Sequence, residues 1–214
     1  MNDVMERCAR CGLVPVVVIE NADDAEDTAK ALLAGGIDVM EITFRTAAAR
    51  EAIARVCESV PEMLVGAGTV VNVSQCAQAI EAGAKFVVSP GFDEETVDYC
   101  VSHGIAVLPG CATPTEIMMA LKKGLTTVKF FPANVYGGLK AMKALSGPFV
   151  GLKFLPTGGV NGENIGEYIS APFIAAVGGS WICSKADISS HNYEKITQLC
   201  AKAREAVDSI REGS

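Results

Sequence analysis

Lys129 occupies an unusual place for a charged residue. It stands in the segment Thr127-Val128-Lys129-Phe130-Phe131-Pro132, which otherwise has the character of a buried β-strand. Side chains alternate between the two faces of a strand, so Lys129 shares its face with Thr127 and Phe131. Burial of an ammonium group is costly unless the group is paired or loses its proton, and a neutral amine can attack a ketone to form an imine. The segment therefore predicts either an imine-forming lysine or a salt-bridged structural lysine.

Glu41 and Arg45 give a second chemical signal. They lie in Val39-Met40-Glu41-Ile42-Thr43-Phe44-Arg45, where alternation places both charges on one face and the apolar side chains on the other. A carboxylate beside an imine lysine can take and return protons, and an arginine can hold a substrate carboxylate by a bidentate contact. Without the lysine, the same pattern also fits a structural Glu–Arg pair.

Two glycine pairs follow later apolar runs. They occur in Pro156-Thr157-Gly158-Gly159-Val160 and in Val177-Gly178-Gly179-Ser180. Glycine lets backbone N–H groups approach an anion closely, and Ser180 can add a hydroxyl donor. A single Gly-Gly is only a turn, but two of them at adjacent strand ends favour a phosphate site.

These residues must be positioned by a repeating fold. Strand-length apolar runs recur eight times and alternate with helical periodicity at intervals of roughly 20 to 25 residues. Helix-stop glycines such as Gly35, Gly83, Gly104 and Gly124 fit the alternation. The predicted class is therefore α/β, a (β/α)8 TIM barrel forming a single domain over residues 1–214, with a short N-terminal helix and a C-terminal helix over 193–210. The predicted strands are Val14–Glu20, Val39–Arg45, Leu64–Val70, Phe86–Gly91, Ala106–Gly110, Thr127–Pro132, Phe154–Gly159 and Ala175–Ser180.

Charge and composition exclude several partners. The formal charge of −7 and the pI near 4.9 oppose binding to nucleic acid or an anionic membrane. The start of the chain lacks the pattern of a signal peptide and no apolar run reaches the length of a membrane span, so we expect a cytoplasmic protein.

Cysteine and histidine usage argues against a metal centre. The eight cysteines are too dispersed for a disulfide scaffold and are expected to be reduced core thiols. Cys8 and Cys11 form a C-x-x-C that fits a short helix better than a metal or redox site, because no second pair completes it. The only two histidines, His103 and His191, are expected on the surface, so no metal is predicted.

Taken together, these motifs closely resemble the bacterial KDPG/KHG aldolase family. The resemblance runs in order from about Val14 to Trp181, and the combination of K-F-F-P-A, P-T-G-G and V-G-G-S-W is specific. It implies a class I, Schiff-base aldolase of the Entner–Doudoroff pathway. Such an enzyme reversibly cleaves 2-keto-3-deoxy-6-phosphogluconate (KDPG) to pyruvate and glyceraldehyde 3-phosphate. The second substrate implied is 4-hydroxy-2-oxoglutarate (KHG), which yields pyruvate and glyoxylate.

The resemblance also implies residue roles. Lys129 would be the Schiff-base lysine and Glu41 the general acid/base, with no cofactor and a phosphorylated keto acid as the small-molecule partner. A homotrimer is the implied assembly. Substrate-binding positions would be the carboxylate contacts Arg45, Thr69 and Thr157, the phosphate contacts Gly158, Gly159, Gly178, Gly179 and Ser180, and the lining residues Pro90 and Phe131.

Two other function classes compete with this interpretation. A sugar-phosphate decarboxylase or epimerase would share the glycine cradle, but such sites carry several Asp or His residues at strand ends. A non-catalytic sensor of sugar-acid phosphates would not need both Lys129 and Glu41. The segment Asn134-Val135-Tyr136-Gly137-Gly138 differs from the Glu-Ala-x-Gly-Gly form of many family members, so the choice among gluconate, galactonate and KHG substrates stays open.

Overall fold

A computed structural model describes residues 2–212 of the chain; Met1, Gly213 and Ser214, which the predicted domain includes, lie outside them. Eight parallel strands alternate with helices along the chain. The strands are β1 Leu13–Val17, β2 Val39–Thr43, β3 Leu64–Gly68, β4 Phe86–Val88, β5 Ala106–Leu108, β6 Thr127–Phe130, β7 Lys153–Pro156 and β8 Val177–Gly179.

The strands close into a barrel. Six of them form a parallel sheet in the order β5-β4-β3-β2-β1-β8, and β6 pairs with β7. Single parallel bridges join the two groups, from Gly110 to Lys129 and from Thr157 to Gly178. The predicted (β/α)8 barrel is therefore confirmed, and the described residues pack around one hydrophobic cluster.

Helices surround this barrel. Helical periodicity in the sequence predicts five of them, at Ala25–Ala34, Ala47–Val60, Val73–Ala82, Glu94–His103 and Pro114–Lys123. Helix α2 spans the predicted residues, and α3 to α6 begin and end within two residues of the predicted positions. The helices are α1 Asn2–Cys11, α2 Ala25–Ala34, α3 Ala49–Ser59, α4 Val73–Glu81, α5 Glu94–Ser102, α6 Pro114–Lys122, α7 Gly138–Ser146, α8 Ile165–Ile169, α9 Lys185–Ser189 and α10 Tyr193–Glu212.

Local chemistry explains where the helices begin. Asn72 and Asp93 accept hydrogen bonds from backbone N–H groups at the starts of α4 and α5, and Thr113 forms a capping box with Glu116 at the start of α6. These caps satisfy N–H groups that lack partners within the helix. Each helix start is thereby fixed a few residues beyond a strand end, where the loops converge.

Every predicted strand extends one to three residues past its observed C-terminal end. Those extra residues have left the regular ladder and form the loops at the barrel mouth. Thr69 with φ +56° and Gly158 with φ +95° are examples, because a left-handed backbone cannot continue a strand. The apolar pattern therefore identified the strands but could not show where the backbone turns away.

The cysteines and histidines lie where the sequence predicted them. All eight cysteines are free thiols and seven are buried, with Cys8 and Cys11 in the short helix α1. His103 and His191 are exposed. Within residues 2–212, no helix combines the length and the apolar character needed to cross a bilayer.

Candidate active site

Lys129 and Glu41 meet inside the barrel. Lys129 stands on β6 and Glu41 on β2, and Nζ of the lysine lies 3.5 Å from Oε1 of the carboxylate. The lysine is 4% exposed and the glutamate 0%. Both side chains point inward, as strand alternation predicted, and they form a buried pair of opposite charges.

Burial sets the electrostatics of Glu41. Removal from water raises the pKa of this carboxyl above its ordinary value, while the Lys129 ammonium and the more distant Arg45 guanidinium oppose that rise. A carboxyl in this state exchanges protons more readily near neutral pH than an exposed one. Its position suits it to serve the lysine as an acid and a base.

Gly68 provides the space that Glu41 occupies. A Cβ atom added at Gly68 would lie 2.4 Å from Oε1 of Glu41, which is closer than van der Waals contact allows. Gly68 on β3 pairs in register with Thr43 on β2, two residues nearer the barrel mouth than Glu41. The glycine is therefore required for the carboxylate to reach Lys129.

Three buried oxygen atoms near this pair have no hydrogen-bond partner among the described residues. They are Oε2 of Glu41, Oγ1 of Thr43 and Oγ1 of Thr157. Unpartnered buried polar atoms are costly, and native proteins retain them mainly where they serve a ligand or a reaction. The three oxygens thus mark a polar site inside an otherwise apolar barrel.

Arg45 and Thr69 lie at the barrel mouth. Nε of Arg45 donates a hydrogen bond of 3.2 Å to Oγ1 of Thr69. Thr69 has a left-handed backbone, which a β-branched residue rarely adopts, so the surrounding structure must hold it there. The guanidinium is exposed and has further N–H donors for an anionic group.

A cavity of about 370 Å³ opens beside these residues. Its wall includes Arg45, Phe131 and Thr157 together with the predicted glycine cradle. Cradle residues on the wall are Gly158, Gly159, Gly179 and Ser180. The remaining lining residues are Val16, Val18, Val160, Cys183, Ser184 and Lys185.

Gly178 differs from the other cradle residues, because it is not part of this wall. It lies in the barrel wall itself, where a Cβ atom would stand 2.3 Å from Oγ1 of Thr157. Its missing side chain therefore makes room for Thr157. The structure thus places Gly178 behind the cavity and not on its surface.

Phe131 also lines a second cavity. The second cavity, about 430 Å³, is lined by Pro90, Phe131 and Tyr136, together with residues of the β5–α6 segment. The Phe131 ring also lies near Lys129, with Nζ 5.4 Å from the ring centroid. Phe131 consequently joins the buried pair to both cavities, whereas Pro90 lines only the second.

Backbone hydrogen bonds tie the loop after β6 to the glycine cradle. The N–H of Ala133 donates to the carbonyl of Thr157 at 2.8 Å, and that of Asn134 donates to the carbonyl of Gly158 at 3.2 Å. Gly159, with φ +80°, has no space for a side chain because Asn134 lies against it. The divergent segment that begins at Asn134 is therefore part of the cradle's support.

The structure adds residues that sequence reasoning did not assign to the site. Strand alternation placed Thr43 on the same face as Glu41. The sequence did not show that the Thr43 hydroxyl has no hydrogen-bond partner among the described residues. Lys185 is the first residue of α9 and Ser184 caps its start; this helix has only five residues, so no periodic signal pointed to either of them. Their presence on the cavity wall depends on the path of the chain after Ser180.

Comparison of the chain with known proteins finds matches over most of its length. The model of the KDPG and KHG aldolase family matches residues 4–199. The chain is 43% identical over 207 residues to a 2-dehydro-3-deoxy-phosphogluconate aldolase of Treponema pallidum, covering 97% of this chain and 99% of the relative. It is 41% identical to the KHG/KDPG aldolase of Escherichia coli K12, covering 93% of this chain and 92% of that protein.

A solved structure of similar sequence identity has the same fold as this chain. It is the KDPG aldolase of Legionella pneumophila, captured with pyruvate as a covalent carbinolamine intermediate. The two chains are 41% identical with a TM-score of 0.89, and the match covers 94% of this chain and 96% of the other.

Proposed function

Because the chain belongs to the KDPG and KHG aldolase family, we propose that it is a class I aldolase that reversibly cleaves KDPG to pyruvate and glyceraldehyde 3-phosphate. The observation that carries the proposal is the buried contact between Lys129 Nζ and Glu41 Oε1 at 3.5 Å. A buried amine beside a proton-exchanging carboxyl is the arrangement that imine chemistry on a keto acid needs.

The first step is attack of the neutral Lys129 amine on the C2 ketone of the substrate. Glu41 supplies a proton to the developing alkoxide, which gives a carbinolamine, and loss of water then gives a cationic imine. Glu41 has the raised pKa that a proton donor requires, and its Oε2 has no partner within the described residues. A solved relative has pyruvate captured as a carbinolamine, which supports this step.

The imine then serves as the electron sink for cleavage. The bond between C3 and C4 breaks, its electron pair moves into the imine, and the C4 hydroxyl proton passes to Glu41. Glyceraldehyde 3-phosphate leaves, and the enamine of pyruvate stays on Lys129. Protonation at C3 and hydrolysis of the imine release pyruvate and restore the amine.

Substrate positioning falls to residues around this pair. Arg45, Thr69 and Thr157 hold the carboxylate next to the ketone. Thr157 suits that role because its buried Oγ1 has no hydrogen-bond partner within residues 2–212. Arg45 is suited to it by its free N–H donors at the barrel mouth. Thr43 joins this group, because its buried hydroxyl also lacks a partner in the described part of the chain.

The distal phosphate is assigned to the glycine cradle. Gly158, Gly159, Gly179 and Ser180 line one cavity, and glycine permits close approach of backbone donors to an anion. Gly178 contributes indirectly by making room for Thr157. Phe131 lines this cavity and lies near the imine lysine, while Pro90 lines the second cavity, which Phe131 also lines.

A second substrate, KHG, is proposed on a specific observation. A relative 41% identical to the chain is a KHG/KDPG aldolase. KHG has no phosphate and is shorter, so it would use Lys129, Glu41 and Arg45 but leave the cradle unfilled. Activity on KHG is therefore expected to be weaker than on KDPG.

A substrate panel tests the proposal. Pyruvate release is measured with KDPG, its galactonate epimer and KHG, using a lactate dehydrogenase coupled assay. The highest kcat/KM is expected with KDPG and the lowest with KHG. The proposal would be overturned if pyruvate were released from none of the three compounds. A preference for the galactonate epimer would change the assigned substrate but leave the Schiff-base mechanism in place.

The assembly and location implied by the family resemblance are also proposed. Six large apolar side chains are exposed on the described part of the chain, including Met118, Val135 and Tyr136, which supports burial in a homotrimer. Native mass spectrometry would test it, and a monomer at micromolar concentration would refute it. Eight free thiols support a cytoplasmic location, which cell fractionation can check.

A further inference from the structure

Lys185 is a cation on the wall of the phosphate cavity. Of the described residues that form this wall, two are cationic, Arg45 and Lys185, and none is acidic. The chain as a whole carries a formal charge of −7, so long-range electrostatics repel an anionic substrate. Local cations must therefore compensate at the cavity.

Lys185 is paired with a carboxylate that is not part of that wall. Its Nζ lies 2.7 Å from Oε1 of Glu20, and the two side chains are 56% and 51% exposed. Exposed pairs of this kind contribute little to stability because water screens both charges. The ammonium group can therefore leave Glu20 for a more highly charged partner at little cost.

The backbone that carries Lys185 is firmly anchored. Ser184 Oγ donates a hydrogen bond of 2.6 Å to Oδ2 of Asp187, and Lys195 Nζ donates one of 2.7 Å to Oδ1 of the same carboxylate. These bonds hold the pKa of Asp187 below its ordinary value, so the anchor stays charged at neutral pH. Only the flexible side chain of Lys185 must move.

We propose that Lys185 is a specificity-determining residue that transfers its ammonium group from Glu20 to the distal phosphate of the substrate. The inference rests on the proposed function and extends it to a residue that the sequence motifs did not indicate. Backbone N–H groups and the Ser180 hydroxyl offer hydrogen bonds but no full charge, whereas a phosphate monoester carries about −1.5 to −2 at pH 7. Of the two cations that the described residues place on the cavity wall, Arg45 is assigned to the substrate carboxylate, which leaves Lys185 for the phosphate.

Glu20 then acts as a competitor for Lys185. While the carboxylate holds the ammonium group, the phosphate must displace it, so Glu20 weakens binding of phosphorylated substrate. Removing the lysine and removing the glutamate should consequently change affinity in opposite directions. Loss of a structural salt bridge would instead affect both variants in the same direction.

The test uses Lys185→Met and Glu20→Gln with two matched substrates, KDPG and unphosphorylated 2-keto-3-deoxygluconate. Lys185→Met is expected to lower kcat/KM for KDPG about 10- to 100-fold, chiefly through KM, and to change kcat/KM for the unphosphorylated compound much less. Glu20→Gln is expected to lower KM for KDPG about two- to fivefold. Lys185→Arg should restore most of the affinity, and Glu20→Gln should have little effect in the Lys185→Met background.

Inorganic phosphate gives a second readout of the same cavity. As a competitive inhibitor of KDPG cleavage, it should bind Lys185→Met more weakly and Glu20→Gln more tightly than the native chain. An equal loss on both substrates, or a loss of KDPG affinity in Glu20→Gln, would overturn the proposal. Failure of the native chain to release pyruvate from either substrate would instead refute the proposed function.

Discussion

Nζ of Lys129 lies 3.5 Å from Oε1 of Glu41, although 88 positions separate the two residues in the chain. One stands on β6 and the other on β2, strands that lie far apart in the order of the barrel. Their contact exists only because the barrel closes and both side chains point inward. A lysine amine and a carboxyl with a raised pKa are thereby buried together, and the proposed Schiff-base mechanism depends on this pair.

Gly68→Ala tests whether the position of Glu41 matters. A Cβ atom at Gly68 would lie 2.4 Å from Oε1, so the carboxylate must move away from Lys129. A displacement of about 1 Å at a catalytic group can cost about 100-fold in rate, and kcat for KDPG cleavage should fall by that order.

Gly147→Ala is the matched control for this substitution. Gly147 has an ordinary helical backbone, and a Cβ atom there would approach nothing closer than 3.4 Å. Its kcat should match that of the native chain. Equal rates for Gly68→Ala and Gly147→Ala would show that the position of Glu41 is unimportant.

Thr157→Val separates function from stability. The buried Oγ1 of Thr157 has no partner among the described residues, so its replacement by a methyl group should leave the free energy of unfolding unchanged or raise it by up to about 1 kcal/mol. Loss of a hydrogen bond to the substrate should lower kcat/KM about tenfold. Urea unfolding and steady-state kinetics measure the two effects.

Thr96→Val should give the opposite pattern. Thr96 is also buried, but its Oγ1 donates to Oδ2 of Asp93 at 2.5 Å at the start of α5. This control should lose about 1.5–3 kcal/mol of stability while kcat/KM stays at the native level. If Thr157→Val were destabilised to the same extent, its hydroxyl would have a structural role.

Ser180→Asp tests the phosphate cradle. A carboxylate on the cavity wall would repel the distal phosphate, so kcat/KM for KDPG should fall by about 100-fold or more. Activity on unphosphorylated 2-keto-3-deoxygluconate should fall far less. Ser170→Asp places the same charge on an exposed residue that does not line the cavity and should affect neither substrate. Similar losses on both substrates would argue against a phosphate site at Ser180.

The pH dependence of cleavage reports on Glu41. Burial raises the pKa of this carboxyl, with Lys129 and Arg45 opposing the rise, so protonation removes the base at a pH above the ordinary value of 4.5. Because kcat/KM reports the free enzyme, its acid limb should have its midpoint above 4.5, and Glu41→Gln should abolish that limb and lower kcat/KM about 100-fold or more. Circular dichroism at each pH confirms that the chain is folded. A midpoint at or below 4.5 would contradict the assigned environment.

Strand alternation was sufficient to predict which side chains point inward. It placed Lys129 on the inner face of β6 and Glu41 on that of β2, because alternation depends only on local backbone geometry. Which inward residues touch was not predictable, because that depends on the register and closure of the whole barrel. The 2.4 Å approach of a Gly68 Cβ to Glu41 is a result of this kind.

Irregular segments account for most of what the sequence did not reveal. Helices α8 and α9 contain only five residues each, too few for a periodic pattern to stand out. Helix α7 begins at Gly138, which has a positive φ and follows another glycine. Lys185 is the first residue of α9 and lines the cavity. Because this helix is so short, no pattern in the sequence indicated a role for Lys185.

Trapping of the imine is the direct test of Schiff-base catalysis by Lys129. The native chain is incubated with pyruvate and borohydride and its intact mass is measured alongside Lys129→Ala and Lys153→Ala. Lys153 is an exposed lysine at the start of the adjacent strand and serves as the control. We expect one pyruvyl adduct on the native chain and on Lys153→Ala and none on Lys129→Ala. Absence of an adduct on the folded native chain, or its persistence in Lys129→Ala, would contradict the class I mechanism.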